Sequence, residues 1–232
     1  MKRIERCLAV AFAVAFAAWS PCAAKGVLCL TFDDRNFDAW ERNIPLFAKY
    51  GAHATFFVSG KIDERAEKCM RRLSAEGHCI GLHGFRHQRA RLALSKLGEE
   101  GYIREEILPQ LSVCREKGLD VRSFAYPYRD RSSETDAILL RHFDCLRPDS
   151  ALCCTHPRDA PDKIAKIMPS IAASNQVMIV YAHGIEAKGE KHDPHNITEE
   201  DLEKILSSAM AAGVAMTRIS STRKNGGNEQ WR

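Results

Sequence analysis

Beyond its first two dozen residues the sequence has no apolar run of membrane-spanning length, which excludes a protein built from several transmembrane helices. It has no Cys-x-x-Cys pair, so its cysteines offer no zinc-ribbon type of structural site. It also lacks a strong charge bias. The formal net charge is +4, and it falls to +2 once residues 1–24 are set aside, because Lys2, Arg3 and Arg6 there outweigh Glu5 by two. Nothing in that balance points to a nucleic-acid partner.

What is present begins at the N-terminus. Residues 1–24 read as an export signal, with Lys2, Arg3 and Arg6 as the basic start, an apolar stretch over 7–19, and Cys22-Ala23-Ala24 as a small-residue cleavage region. The mature chain would start near Lys25 and be secreted or periplasmic, without stable membrane insertion. A membrane anchor needs roughly 20 apolar residues, more than this stretch supplies before Ser20-Pro21 ends it. Lipid attachment at Cys22 is a minor alternative, since Trp19-Ser20-Pro21 is a poor lead-in for it.

About two hundred residues then remain, enough for one sizeable core, so a single catalytic-size domain over residues 25–219 is expected, with a mobile polar tail over 220–232. Of the nine cysteines, Cys29, Cys69, Cys79, Cys114, Cys145, Cys153 and Cys154 lie in the mature chain. An odd number leaves one thiol without an intrachain partner. Export permits disulfides, but a core of this size does not require them.

Strand and helix signals alternate along the chain. Residues 26–32 form a short apolar run bounded by Gly and two Asp, a buried strand. Residues 38–50 have helical spacing and stop at Gly51. Further strands are expected at 52–58, 78–82, 121–126, 143–146, 177–182 and 214–219. Helices are expected at 63–75, 103–117, 132–142 and 198–212, the last with Thr198 as N-cap and Glu199, Glu200 and Asp201 in its first turn. The repeated order implies an α/β fold with mainly parallel strands, open or closed into a barrel.

In such folds chemistry collects at the C-terminal ends of strands. Asp33 and Asp34 follow the first strand, His83 the third, Tyr126 to Tyr128 the next, and His183 the strand over 177–182. His83 and His87 with one aspartate could hold a divalent metal and leave a position open, as a catalytic site needs. The second aspartate would then be free as a general base. Alone, neither element is decisive: His pairs four apart often only share a helix face, and Asp-Asp often marks a solvated turn. Gly84 excludes the His-Glu-x-x-His arrangement of metalloproteases.

Together these segments resemble the polysaccharide deacetylase family, also called NodB-type or carbohydrate esterase family 4. Thr31-Phe32-Asp33-Asp34 matches its first motif, with Arg35 where the family has Gly. Residues 77–87, ending in His83-Gly84-Phe85-Arg86-His87, resemble its second, and Ala54-Thr55-Phe56-Phe57-Val58 is typical of the strand between. The resemblance implies a deformed (β/α) barrel. It implies a secreted, metal-dependent hydrolase that removes N-acetyl, or O-acetyl, groups from a carbohydrate such as an N-acetylglucosamine polymer or peptidoglycan. Asp34, His83 and His87 would bind the metal, most simply zinc, with cobalt or nickel as alternatives. Asp33 would be the base acting on metal-bound water, the backbone N–H of Tyr128 would meet the oxyanion, and His183 would be the general acid. The alternatives are a glycan-binding module of the same fold and an amidohydrolase acting on a non-carbohydrate C–N bond.

The match has gaps. Ala125 stands where the family carries an Arg that pairs with the catalytic aspartate, and Arg35 or Arg129 could supply that charge. Gly84 replaces a Ser or Thr that ties the metal loop, which implies a looser loop or weaker metal binding. The acidic partner of His183 has only Asp144 and Asp149 as candidates. Tyr126 and Arg35 are candidate substrate contacts. Phe85 could stack on a sugar ring, whereas Trp40 reads as core. His53 and His78 read as packed structural residues, and His192 and His195 as a solvated loop.

Overall fold

The computed structural model of the chain describes residues 26–219; the export-signal and tail readings lie outside the described residues. The central strand is β1, Val27–Asp34, buried along all but its two end residues. After it come α1 (Phe37–Arg42), α2 (Ile44–Lys49), β2 (Thr55–Val58), α3 (Glu64–Ala75) and β3 (Cys79–Leu82). Then follow α4 (Ala90–Tyr102), a π-helical turn over Ile103–Ile107, α5 (Leu108–Glu116), β4 (Val121–Phe124), a 3-10 turn at Pro127–Arg129 and α6 (Ser133–Leu139). The chain continues through β5 (Cys145–Leu146), β6 (Leu152–Cys153), α7 (Ala160–Ser174), β7 (Val177–Ala182), β8 (Ile185–Glu186), β9 (Ile197–Thr198), α8 (Glu199–Ala212) and β10 (Ala215–Met216).

The main sheet runs in the order β5-β4-β3-β2-β1-β7-β6, with β10 also paired to β1. All the strand pairings among the described residues are parallel. The sheet curls. Cys29, Phe57, Ala125, Ala151 and Ile179, drawn from both wings of the sheet, form one buried cluster on its inner face, whereas Leu28, Leu30, Phe32, Phe56, Val58 and Val180 point the other way into the larger core under the helices. This is the parallel, barrel-like architecture that the strand-helix alternation implies.

Aromatic packing fixes the first helices to the sheet. Phe56 stacks on Phe32 at 5.3 Å, Trp40 meets Phe56 at 5.1 Å, and Phe47 meets Phe56 edge-on at 6.1 Å. Each fully buried ring of this kind contributes about 1.5–3 kcal/mol through burial. Trp40 is completely buried, in keeping with its core reading.

Some expected elements differ. The helix over 38–50 is two short helices meeting at Asn43, since Pro45 in the first turn of α2 has no N–H to continue a bond from α1. The helix expected from 103 starts thirteen residues earlier, at Ala90, and reaches α5 through the π turn. Helix α7 was not anticipated because Pro169 lies inside it. Its buried stripe of Ile164, Met168 and Ile171 packs α7 on α8 and outweighs the lost backbone bond. The cap of α8 is as expected, with Thr198 Oγ1 accepting from the Asp201 N–H at 3.1 Å. No disulfide joins the seven cysteines of the described residues, and burial pushes the Cys29 thiol up to about 12, so it behaves as a small core residue.

Candidate active site

Strand alternation separates the two adjacent carboxylates. Successive side chains of a strand face opposite ways, so Asp33 lies on the inner face with Cys29 and is only 2% exposed. There it meets Arg147, the residue after β5. Arg147 Nη1 donates to Asp33 Oδ1 at 2.6 Å and Nη2 to Oδ2 at 2.7 Å, a two-point clamp. Nη1 also donates to Thr31 Oγ1 at 3.1 Å. The guanidinium lies over the rings of Phe57 and Tyr181, at 5.2 and 4.9 Å. Burial alone would raise the Asp33 carboxyl, but Arg147 and then His83 hold it below the ordinary carboxylate range.

Arg147 is therefore the cation that the sequence left unassigned. Arg35 instead donates to the carbonyls of Ser59 and Lys61 and pairs with Asp63 at 2.9 Å, and Arg129 donates to the carbonyl of Asp149. Neither supplies the charge beside Asp33. One signal was available: Arg147 follows a short apolar strand, just as the other site residues do, but β5 is only two residues long and residues 147–148 also read as a simple turn.

Asp34 ends β1 with φ 78°, a conformation that L-residues seldom adopt, and this turns its carboxylate away from Arg147 toward three histidines. Ligand atoms of Asp34, His83 and His87 all lie within 4.8 Å of one another. His83 Nδ1 is 2.7 Å from the carbonyl oxygen of Ala125; a carbonyl only accepts, so Nδ1 carries the proton and Nε2 is left bare. Burial pushes the His83 imidazole down from its ordinary value despite the pull of Asp33, which favours the neutral ring that coordinates metals. His87 Nε2 is buried with no hydrogen-bond partner, although it stands 3.4 Å from Asp34 Oδ1. A buried polar atom without a partner is costly. An imidazole pair and a carboxylate this close, one nitrogen orphaned and one oriented by a carbonyl, fit a divalent cation of the zinc type.

His183, at the end of β7, brings its Nε2 to 3.7 Å from Asp34 Oδ2. Its Nδ1 faces the carbonyl of His195 at 3.3 Å, and its backbone N–H donates to the same carbonyl at 3.0 Å. A backbone carbonyl thus stands where an acidic partner was sought, while Asp144 pairs with Arg122 at 3.6 Å. The Trp40 indole N–H donates to the His183 carbonyl at 2.8 Å, tying the acid candidate to the core. Trp40→Phe removes that donor from a partly buried carbonyl and should cost about 1 kcal/mol, read as a lower urea midpoint with unchanged slope.

These residues line one open cleft with Tyr126, Tyr128, Arg35, Arg129, His156 and His195. Tyr128, 57% exposed at its rim, packs its ring edge-on to His87 at 4.8 Å, and both Tyr128 and Arg129 have φ 56°. Tyr126 is 3% exposed and donates its hydroxyl to Asp136 at 2.9 Å, so its ring supports the cleft from within and is not free to stack on a sugar. Arg35 reaches the cleft wall but has its guanidinium engaged as above. Phe85 is half-buried and is not among the lining residues. His195 belongs to the cleft, a role beyond that of a solvated loop. His78 is buried and accepts from the Ala54 N–H at 3.1 Å, and burial pushes its ring down to about 4. His53, expected to be packed, is exposed, because it precedes β2 at the sheet's outer end.

The family model described as polysaccharide deacetylase matches residues 20–142. A chitin deacetylase of the fungus Arthroderma benhamiae is 30% identical over 191 residues, which are 77% of this chain and 46% of that protein. The chain thus spans about half the length of this curated relative. A polysaccharide deacetylase from Bacillus cereus superposes with a TM-score of 0.63 at 21% identity, covering 89% of this chain and 98% of that one. The chitin deacetylase of Colletotrichum lindemuthianum gives a TM-score of 0.61 at 19% identity over 86% and 88% of the two chains. At those identities the likeness establishes the fold.

Proposed function

The chain belongs to the polysaccharide deacetylase family, and on that premise we propose that it is a metal-dependent hydrolase removing N-acetyl groups from an exported or cell-surface glycan. One observation carries the reading: a buried, Arg-clamped carboxylate, an Asp-His-His cluster and His183 meet in a single open cleft. Asp34, His83 and His87 would hold the cation. A divalent metal bound there supplies Lewis acidity to the attacking water and to the acetamide carbonyl.

The chain's own groups have separate tasks. Asp33 Oδ2, 3.7 Å from His83 Nε2, takes the proton of the attacking water. Arg147 positions Asp33 and keeps it ionised, so that the base is ready at neutral pH. The backbone N–H of Tyr128 donates to the oxygen on which charge develops. His183 gives a proton to the departing amine, and the His195 carbonyl and Trp40 fix its ring and backbone. A glycan-binding module would use neither a buried ionised aspartate nor a histidine aimed at the same cluster.

Acetate release from N-acetylglucosamine oligomers and from peptidoglycan tests this reading. Activity should vanish on treatment with a chelator and return with zinc or cobalt. Release indifferent to chelation would refute metal dependence, and a metal-loaded protein that releases acetate from neither substrate would favour the binding module.

A further inference from the structure

The loop from His83 to His87 is anchored from beneath, by a residue outside the cleft. Gly84 has no hydroxyl with which to tie this loop, and the space a side chain would take is already filled. A Cβ on Gly84 would stand 2.8 Å from Glu106 Oε2 and 3.4 Å from Pro127 Cγ. Glu106 is 1% exposed and lies in the π turn Ile103–Ile107. Single π turns inserted in helices are frequent at functional sites, and here the turn carries Glu106 under the loop.

Glu106 bonds the loop twice at the least. Its Oε2 accepts from the Arg86 N–H at 3.2 Å, and its backbone carbonyl accepts from the Phe85 N–H at 2.9 Å. Burial pushes the Glu106 carboxyl up, and the N–H groups of Arg86 and Gln88 draw it back down. Its Oε1 has no hydrogen-bond partner among the described residues. A buried carboxyl with one unsatisfied oxygen costs stability relative to an apolar side chain of the same size. Folding alone gives no reason for it; the loop does.

We propose that Glu106 is a positioning residue for the metal-binding loop, its oxygens holding the backbone N–H groups of residues 85 and 86 so that His83 and His87 keep their mutual geometry without a side chain at Gly84. This rests on the reading of Asp34, His83 and His87 as a divalent-metal site. An acceptor placed at the correct distance is what the loop needs, and the negative charge is secondary. Two conservative variants separate those attributes. Glu106→Gln keeps an oxygen at the same reach and loses the charge, whereas Glu106→Asp keeps the charge and withdraws the carboxylate by one methylene.

The test is zinc affinity of the full chain by competition with a chromophoric chelator, the absorption spectrum of the cobalt-loaded protein, and amide exchange at Arg86 in the metal-free protein. Urea midpoints of both variants establish that each is folded. Glu106→Asp should bind zinc roughly 10–100-fold more weakly, with a changed cobalt spectrum and faster Arg86 exchange. Glu106→Gln should stay within about threefold of the parent on the same scale. Unchanged affinity, spectrum and exchange in Glu106→Asp would overturn the inference, as would a loss in Glu106→Gln equal to that in Glu106→Asp. His83→Ala serves as the control: a parent chain that binds zinc no better than this variant refutes the metal reading itself and the inference with it.

Discussion

Asp33→Asn should bind zinc as tightly as the parent chain and release acetate roughly 10²–10⁴-fold more slowly, the usual contribution of a positioned general base. The reason lies in the division between the two neighbours. Asp34 belongs to the cluster with His83 and His87, while Asp33 points into the curled sheet and is held by Arg147. An amide at position 33 preserves the shape and removes the proton acceptor. The loss should appear in kcat, with KM little changed, because the side chain would act on water and not on the sugar. Full turnover in Asp33→Asn would eliminate it as the base. Asp34→Asn should differ in kind by losing zinc first, and titration of metal content separates the two.

Arg147→Met should lower stability by about 3–5 kcal/mol, the cost of leaving one member of a buried ion pair uncompensated, and should displace the pH profile. The sign follows from the position of Asp33. With Arg147 present the folded pKa lies below the unfolded carboxylate value of about 3.9, so the pairing stabilises fully above that value and is lost as pH falls through the lower folded one. With Arg147 gone, burial dominates and the folded pKa rises above the unfolded value. The metal-free variant should then lose stability as pH rises from about 4 toward that new value. The acid limb of kcat/KM should move upward in the same direction, because a base with a raised pKa is protonated over a wider range. A variant with an unmoved acid limb would show that Arg147 does not tune the base. Asp33→Asn combined with Arg147→Met should cost less than the two single losses added together, since each single variant strands a partner.

Much of this arrangement can be read from local pattern. The run over 177–182 is found as β7 at the same residues, since a continuous apolar stretch of that length has little choice but a doubly buried strand. The Asp33-Asp34 pair, His83 and His183 stand at strand ends, where a parallel sheet opens its cleft, and His87 follows His83 in the same loop. What escaped was decided between segments distant in sequence. Residues 33 and 147 are 114 positions apart, and nothing near Arg147 distinguishes a clamp from a turn. Helix α7 escaped because Pro169 speaks against it locally while burial against α8 speaks for it. The loop anchor escaped because Glu106 looks like one acid among several in a helix of mixed charge, and only a shifted helical turn buries it under Gly84.

The amino-acid sequence by itself determined the strand-helix alternation, the parallel sheet that follows from it, and the residue types gathered at the strand ends, because these depend on periodicity and on chemistry repeated within short windows. Tertiary structure alone decided which carboxylate is clamped and which faces the histidines, which cation does the clamping, and what steadies the loop. Those outcomes rest on the curl of the sheet, on the left-handed turn at Asp34, and on burial, which turns ordinary Arg and Glu side chains into partners for groups far away along the chain.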